Sequence, residues 1–348
     1  DTLTQDFQDL EMYSLISQVE ALGGNRSVVL EQSEKNYETV RTLEELQAII
    51  QKIQRADLIA FDLETTSIRA LEADIVGISF SLADHSGYYI PVEFPEKEPE
   101  IDMSLNLILK HLKPEFENSE NCFCGQNIKY DALVLSRYDI QLSNIGFDTM
   151  VAEYLLHPEK NSYKLDYLSL DYLNYKMVPI ENLIGTGLHQ KSMVEVPLAD
   201  ISYYAVEDAD VTYQLSAILK AKLKKENLSK PYNDIDLPLI PVLAEIEKNG
   251  IYLDMDYLSQ LSDEFGKDLN SLTDKIYHIV GREFNINSPK QLAEILFDEL
   301  ALKPIRKRST AVEVLNVLKN HHPLPEVVLE YRHLAKLKST YVDAFPKY

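Results

Sequence analysis

An apolar run, Leu58-Ile59-Ala60-Phe61, passes directly into Asp62-Leu63-Glu64-Thr65. A run this short and this apolar reads as a buried strand. Side chains alternate along a strand, so Asp62 and Glu64 point to one face. Some 140 residues later comes Tyr204-Ala205-Val206-Glu207-Asp208. On a helix, Tyr204 and Asp208 stand at i and i+4 and share a face, while Glu207 and Asp210 fall off it. Between the two lies Gln126-Asn127-Ile128-Lys129-Tyr130-Asp131, which adds one more carboxylate. Magnesium takes carboxylate oxygens in near-octahedral geometry. Two such ions a few ångströms apart can hold both the attacking and the leaving oxygen of a phosphodiester. That arrangement needs about four carboxylates, one of them bridging. Asp62 is the bridging candidate, and the Tyr204 hydroxyl is placed to steer the attacking water.

The chain of 348 residues, 45% of them hydrophobic, has enough material for two domains and an extra segment. No apolar run reaches the roughly 18 residues of a membrane span, so no membrane association is expected. The start, Asp1-Thr2-Leu3-Thr4-Gln5, has neither a signal-peptide pattern nor an initiator Met, which suggests a chain that begins inside a longer polypeptide. The two cysteines, Cys122 and Cys124, lie in a Cys-Phe-Cys alternation that reads as buried reduced thiols. They are too few for a zinc site and point to a cytoplasmic setting. The net charge of −22 argues against a protein that coats DNA nonspecifically. Residues 303–348, however, carry nine Lys/Arg against four acids, a local excess that suits phosphate contact there.

Along the chain, residues 1–34 read as a leader or linker with a helical pattern from Leu10 to Val19. Thr42 followed by Glu45 is a capping box that opens a helix. Ile75–Leu82 alternates at period two, and Tyr88–Val92 reads as its hairpin partner across a turn at residues 84–87. A helix at 103–112, a strand at 121–124 and a helix from about 129 to 138 follow. Residues 145–228 read as mostly helical, with one long helix over 201–225. The composition shifts near Pro231. Helical spacing then covers 237–248 (stopped by Asn249-Gly250), 256–280, 289–300, 310–320 and 325–341. The expected fold is an α/β mixed-sheet domain over residues 35–228, followed by an all-α domain over 229–348.

Phe61-Asp-Leu-Glu-Thr65, Asn127-Ile-Lys-Tyr-Asp131 and Tyr204-Ala-Val-Glu-Asp208 resemble the three motifs of DEDDy-type 3′–5′ exonucleases, whose fold is RNase H-like. More closely, the chain is similar to the proofreading domain of bacterial family A DNA polymerases. Ile145-Gly-Phe-Asp148-Thr-Met and Ala209-Asp-Val-Thr212 extend the likeness, and Pro323 to Tyr341 looks like the end of that family's thumb. The match covers roughly residues 35–348; residues 1–20 resemble the tail after a preceding 5′-nuclease domain.

The resemblance implies a role for each matching residue. Asp62, Glu64 and Asp208 bind one Mg2+ (or Mn2+) ion, and Asp62 with Asp131 binds a second. Tyr204 orients the nucleophile. Asn127 contacts the terminal nucleotide, assisted by Gln126 and Tyr130, and Thr65 and Ile68 pack near the 3′-terminal bases. Ile180 stands where the resemblance implies an aromatic ring, so it can pack a base without stacking on it. Arg332, Lys336, Lys338 and Ser339 form a thumb strip for DNA phosphates. The implied partners are a single-stranded DNA 3′ end and a primer–template duplex, handled by a monomer near the bacterial nucleoid. The palm and fingers of the family are missing, so these residues are expected to remove nucleotides and not to add them. Two alternatives stay open: a free-standing RNA 3′-trimming exonuclease, and a scaffold with a vestigial acidic pocket.

Overall fold

The structure, a computed structural model, describes residues 34–96, 101, 103–187 and 190–347. The leader expected over residues 1–34 lies almost entirely outside them. The chain divides after Asn249 into two compact units.

The first unit is built on a six-stranded mixed sheet in the order β1-β4-β3-β2-β5-β6. Its strands are β1 (Asn36–Thr39), β2 (Ile59–Thr65), β3 (Ile75–Ala83), β4 (Ser86–Pro91), β5 (Phe123–Gly125) and β6 (Ile145–Asp148). β2 and β4 pair antiparallel with β3, while β1 runs parallel to β4 and β5 parallel to β2 and β6. Helices α1 (Leu43–Ile53), α2 (Leu105–Phe116) and α3 (Ile128–Ser136) cover one face. Their Leu46, Ile49, Ile108, Leu112 and Val134 share one core with Phe61, Leu63, Ile78 and Phe80. Phe61, Phe80, Phe116 and Phe123 form its aromatic centre, with neighbouring ring centroids 5.3–6.3 Å apart. The Thr42 capping box forms as read: Thr42 Oγ1 accepts from Glu45 N, and the Glu45 carboxylate accepts from Thr42 N.

The other face carries α4 (Thr149–Leu156), α5 (Leu165–Leu173), the short α6 (Glu181–Ile184) and the long α7 (Leu198–Lys225). Residues on even-numbered positions of β2 turn this way. Ala60 belongs to the core under α7, with Cys124, Phe147, Val211 and Leu215. Phe61 and Leu63 belong to the opposite core. Period-two alternation therefore delivers Asp62 and Glu64 to the face where α7 lies.

Two strands depart from the expectation. Ile145–Asp148, read within a mostly helical stretch, is β6, and it closes the sheet beside β5. With four residues it has too few alternations for a periodic signal, and its stability comes from pairing and from burying Phe147. β1 is equally short, and its parallel partner begins 50 residues on, at Ser86. The division between units also falls beyond the compositional shift at Pro231. Helix α8 (Leu237–Asn249) packs Ile240 into the first unit's core, and Gly250 follows it at φ 62°.

The second unit is helical: α9 (Met255–Val280), α10 (Pro289–Glu294), α11 (Val312–Leu318) and α12 (Leu324–Leu337). Its core joins Ile276, Leu292, Leu296, Leu315 and Val328. α10 and α12 each run into one wide π turn, Ile295–Glu299 and Lys338–Val342.

Candidate active site

Strand β2 and helix α7 bring Asp62, Glu64 and Asp208 together, with one carboxylate oxygen from each within 4.8 Å of the others. The close approach of α7 depends on Gly87 in β4. A Cβ there would stand 2.6 Å from Val206 Cγ1 and 2.7 Å from the Phe80 carbonyl oxygen. Tyr204, one helical turn before Asp208, hydrogen bonds its carboxylate. Asp131 comes from the first turn of α3 on the other flank of β2. It is buried, and its Oδ1 accepts from Leu63 N at 3.2 Å. It stands outside the close group of three, yet its charge acts on Glu64.

Burial holds all four carboxyl groups above their ordinary range, and repulsion adds to it at Glu64, Asp131 and Asp208. Burial lifts Asp62 to about 6. Glu64 is raised well above its usual value by burial and then by Asp62 and Asp131. Asp131 is raised by burial and Asp62, against the Leu63 N–H, which favours its charge. Asp208 is raised by burial, Asp62 and Glu64, against the Tyr204 hydrogen bond. Burial and the same carboxylates push the Tyr204 phenol far upward, so it keeps its proton at any working pH. Glu64 Oε1 is buried with no hydrogen-bond partner among the described residues. Clustered acids with an unpaired buried oxygen are stabilised by a bound cation, so this donor set fits divalent metal.

Beside the cluster, Tyr130 Oη lies 2.5 Å from Thr65 Oγ1 and also bonds the Ser67 carbonyl, which ties the turn after β2 to α3. That turn holds Ile68 out in solvent, 96% exposed. A groove of about 400 Å³ follows, lined by Ile68, Arg69, Asn127, Lys129, Tyr130 and Glu247 among others. Asn127 precedes α3 in the left-handed region at φ 61°, and its side chain makes no cap bond. Gln126 does not share that freedom. Its amide donates to the Tyr163 carbonyl at 2.7 Å and accepts from Thr149 Oγ1 at 2.5 Å. Ile180 lies at the start of α6, 39% exposed.

Glu207 and Asp210, set aside for lying off the Tyr204 face, are buried anchors. Glu207 accepts from Val178 N at 2.7 Å, from the Tyr175 hydroxyl and from Lys35 Nζ at 3.2 Å. It thereby fastens the segment leading to Ile180 onto α7. Asp210 accepts from Tyr37 Oη, His85 N and Gln214 Nε2. Asp148 caps α4 through Val151 N and also accepts from Ile128 N, where α3 begins. Acids in an otherwise apolar helix, as in Glu207-Asp208-Ala209-Asp210, are the signal that could have shown these anchors.

In the second unit, two of the three cations among the thumb candidates are engaged internally. Arg332 donates to the Thr310 carbonyl at 2.5 Å. Lys338 Nζ bonds Ser262 Oγ at 2.5 Å and Asp343 at 2.9 Å. Lys336 and Ser339 are exposed, although Ser339 Oγ donates back to the Ala335 carbonyl.

A mixed sheet that presents Asp-x-Glu to a helix bearing Tyr-x-x-x-Asp defines a 3′–5′ exonuclease. The chain belongs to that family, whose model matches residues 37–224. Residues 255–348 match the model described as DNA polymerase family A. The chain is 37% identical over 325 residues to DNA polymerase I of Pseudomonas aeruginosa, covering 91% of this chain and 36% of that protein. It is 35% identical over 347 residues to DNA polymerase I of Borreliella burgdorferi, covering 99% and 37%. This chain thus spans about a third of the length of these relatives. A solved structure of the POL domain of Pol1 from M. smegmatis, in complex with DNA primer-template and dNTP, shares the fold. Its TM-score is 0.73 at 23% identity, covering 88% of this chain and 49% of that one.

Proposed function

We propose that this chain is the proofreading exonuclease and thumb portion of a DNA polymerase I, releasing nucleotides from DNA 3′ ends. The observation that carries this reading is the convergence of Asp62, Glu64 and Asp208 within 4.8 Å on β2 and α7. Asp62, Glu64 and Asp208 would hold one Mg2+ or Mn2+ ion, and Asp62 with Asp131 a second. Such ions supply Lewis-acid activation of water and neutralise charge on the attacking and leaving oxygens. Tyr204 keeps its proton, so it orients the attacking water by hydrogen bonding and does not act as the base. Asp131, tied to the Leu63 N–H, lies within the field of the Asp62 charge. Exposed Ile68 and Ile180 give the terminal bases apolar surface, with Asn127 and Tyr130 along the groove between β2 and α3. Gln126 then acts by fixing Tyr163 and Thr149, not by touching nucleotide. At the thumb, Lys336 is exposed and is the cation we assign to duplex phosphate. The bacterial relatives support a cytoplasmic site of action, where the nucleoid would supply the DNA. Among the described residues no helix is long and apolar enough to cross a membrane.

The test is incubation of the purified protein with Mg2+ and 5′-labelled single-stranded DNA, with single-stranded RNA alongside. Stepwise shortening of DNA from its 3′ end is expected, abolished in Asp208→Ala with the fold retained. Intact DNA with wild-type protein, or preferential trimming of RNA, would overturn the reading.

A further inference from the structure

One polar side chain on the carboxylate face of the sheet has no part in this chemistry. It is Tyr89, on β4. The register of three strands places it. Asp62 pairs with Ser79 and Glu64 with Gly77 across β2 and β3, and Ser79 pairs with Tyr89 across β3 and β4. Residues directly opposite each other in antiparallel strands share a face. Tyr89 therefore stands on the side of Asp62 and Glu64, one strand further out. Gly77, opposite Glu64, contributes no side chain, and Tyr89 fills that space. A Cβ on Gly77 would stand 2.1 Å from Tyr89 Oη and 2.3 Å from the ring carbon that bears it. The phenol thus occupies the position from which residue 77 would have faced Glu64.

Two further observations point the same way. Tyr89 is fully buried, in the core with Val76, Ile201, Ala205 and Val206. Its hydroxyl has no hydrogen-bond partner among the described residues, and neither has Glu64 Oε1. Buried polar atoms without partners are rare and call for a specific account.

We propose that Tyr89 is a positioning residue of the exonuclease site: its hydroxyl and Glu64 Oε1, both unpaired in the structure, hydrogen bond when Glu64 turns to a divalent cation, and the hydroxyl then fixes how that carboxylate is presented. This rests on the reading of Asp62, Glu64 and Asp208 as the metal-binding group. A carboxylate turned toward a cation with one oxygen needs a donor for the remaining lone pairs, and in a dry site that donor sets its orientation. A phenol serves without adding charge, and the glycine at 77 admits it.

The test is Tyr89→Phe, which keeps the ring over Gly77 and removes only the hydroxyl. Metal-free wild type and variant are titrated with Mn2+ by calorimetry and melted in chelator. The variant is expected to bind Mn2+ roughly tenfold or more weakly. Its kcat on a single-stranded DNA 3′ end should fall while KM is retained. Its melting temperature in chelator should equal or exceed that of wild type, because without a cation the hydroxyl has no partner to lose. In a Glu64→Gln background the same change should have no further effect on Mn2+ binding. If Tyr89→Phe titrates like wild type, whether or not its melting temperature falls, the proposal is overturned and the metal reading stands. If wild type itself takes up no Mn2+, the metal reading fails and this inference with it.

Discussion

Replacing Asp62 with asparagine should stabilise the metal-free protein while removing its activity, and the gain should depend on pH in a defined direction. Burial lifts the Asp62 carboxyl from 3.8 to about 6. At about 1.4 kcal/mol per pH unit, ionising it costs roughly 3 kcal/mol more in the fold than in the unfolded chain. Asp62 is partly exposed, so this is an upper figure. The folded state holds this proton more tightly, so the contribution to stability is fully present below the unfolded value near 4 and is lost as the pH rises through about 6. Glu64, Asp131 and Asp208 are shifted in the same direction, which steepens the fall. In chelator, wild type should therefore be more stable at about pH 5 than at about pH 8. Asp62→Asn removes one of the ionising groups. At about pH 8 it should gain up to roughly 3 kcal/mol, which is several degrees of melting temperature for a unit of this size. Below about pH 4 the gain should vanish, because both states are then protonated. Saturating Mg2+ should reverse the order, since wild type gains by mass action and the variant does not. Thermal melts across pH, with chelator and with Mg2+, measure all of this. If metal-free wild type shows no loss of stability as the pH rises through this range, or if the variant is less stable than wild type at about pH 8, the account of a cluster strained by its own charge is wrong.

Other substitutions probe the flanks of the site. Ile180→Phe should tighten binding of a single-stranded 3′ end by about 1–3 kcal/mol through base stacking, read by fluorescence anisotropy with Ca2+ in place of Mg2+. Glu207→Ala leaves Val178 N and the Tyr175 hydroxyl without their buried acceptor and should cost about 2–5 kcal/mol in chemical denaturation. Tyr204→Phe should lower kcat by roughly a hundredfold through misplacement of water, with KM for the DNA 3′ end retained in steady-state kinetics. Lys336→Ala should reduce the salt dependence of duplex binding by about one ion, whereas Lys338→Ala should leave that slope unchanged because Lys338 is held by Ser262 and Asp343.

The chemical group at the centre was legible in the sequence because short-range geometry fixes it. Period two puts Asp62 and Glu64 on one strand face, and a four-residue step puts Tyr204 and Asp208 on one helix face, whatever the rest of the chain does. Helix ends were legible for the same reason: the Thr42–Glu45 box and the Asn249-Gly250 stop each act within a few residues. The short strands β1 and β6 were not, since four residues carry no period and both are stabilised by distant partners.

Partner choice belonged to the tertiary structure. Gln126 and Arg332 looked free to meet nucleic acid, but folding sets Gln126 between the Tyr163 carbonyl and the Thr149 hydroxyl and brings the Thr310 carbonyl to Arg332. Glu207 looked idle until the segment at Val178 came against it. No spacing rule joins Tyr89 to Glu64, because the link passes through Gly77 across two strand registers. The sequence by itself determined which charges would gather and on which faces, since that depends on backbone period alone. Only the fold decided which faces meet and which polar atoms are left with a single neighbour to bind, because those depend on contacts between residues far apart in the chain.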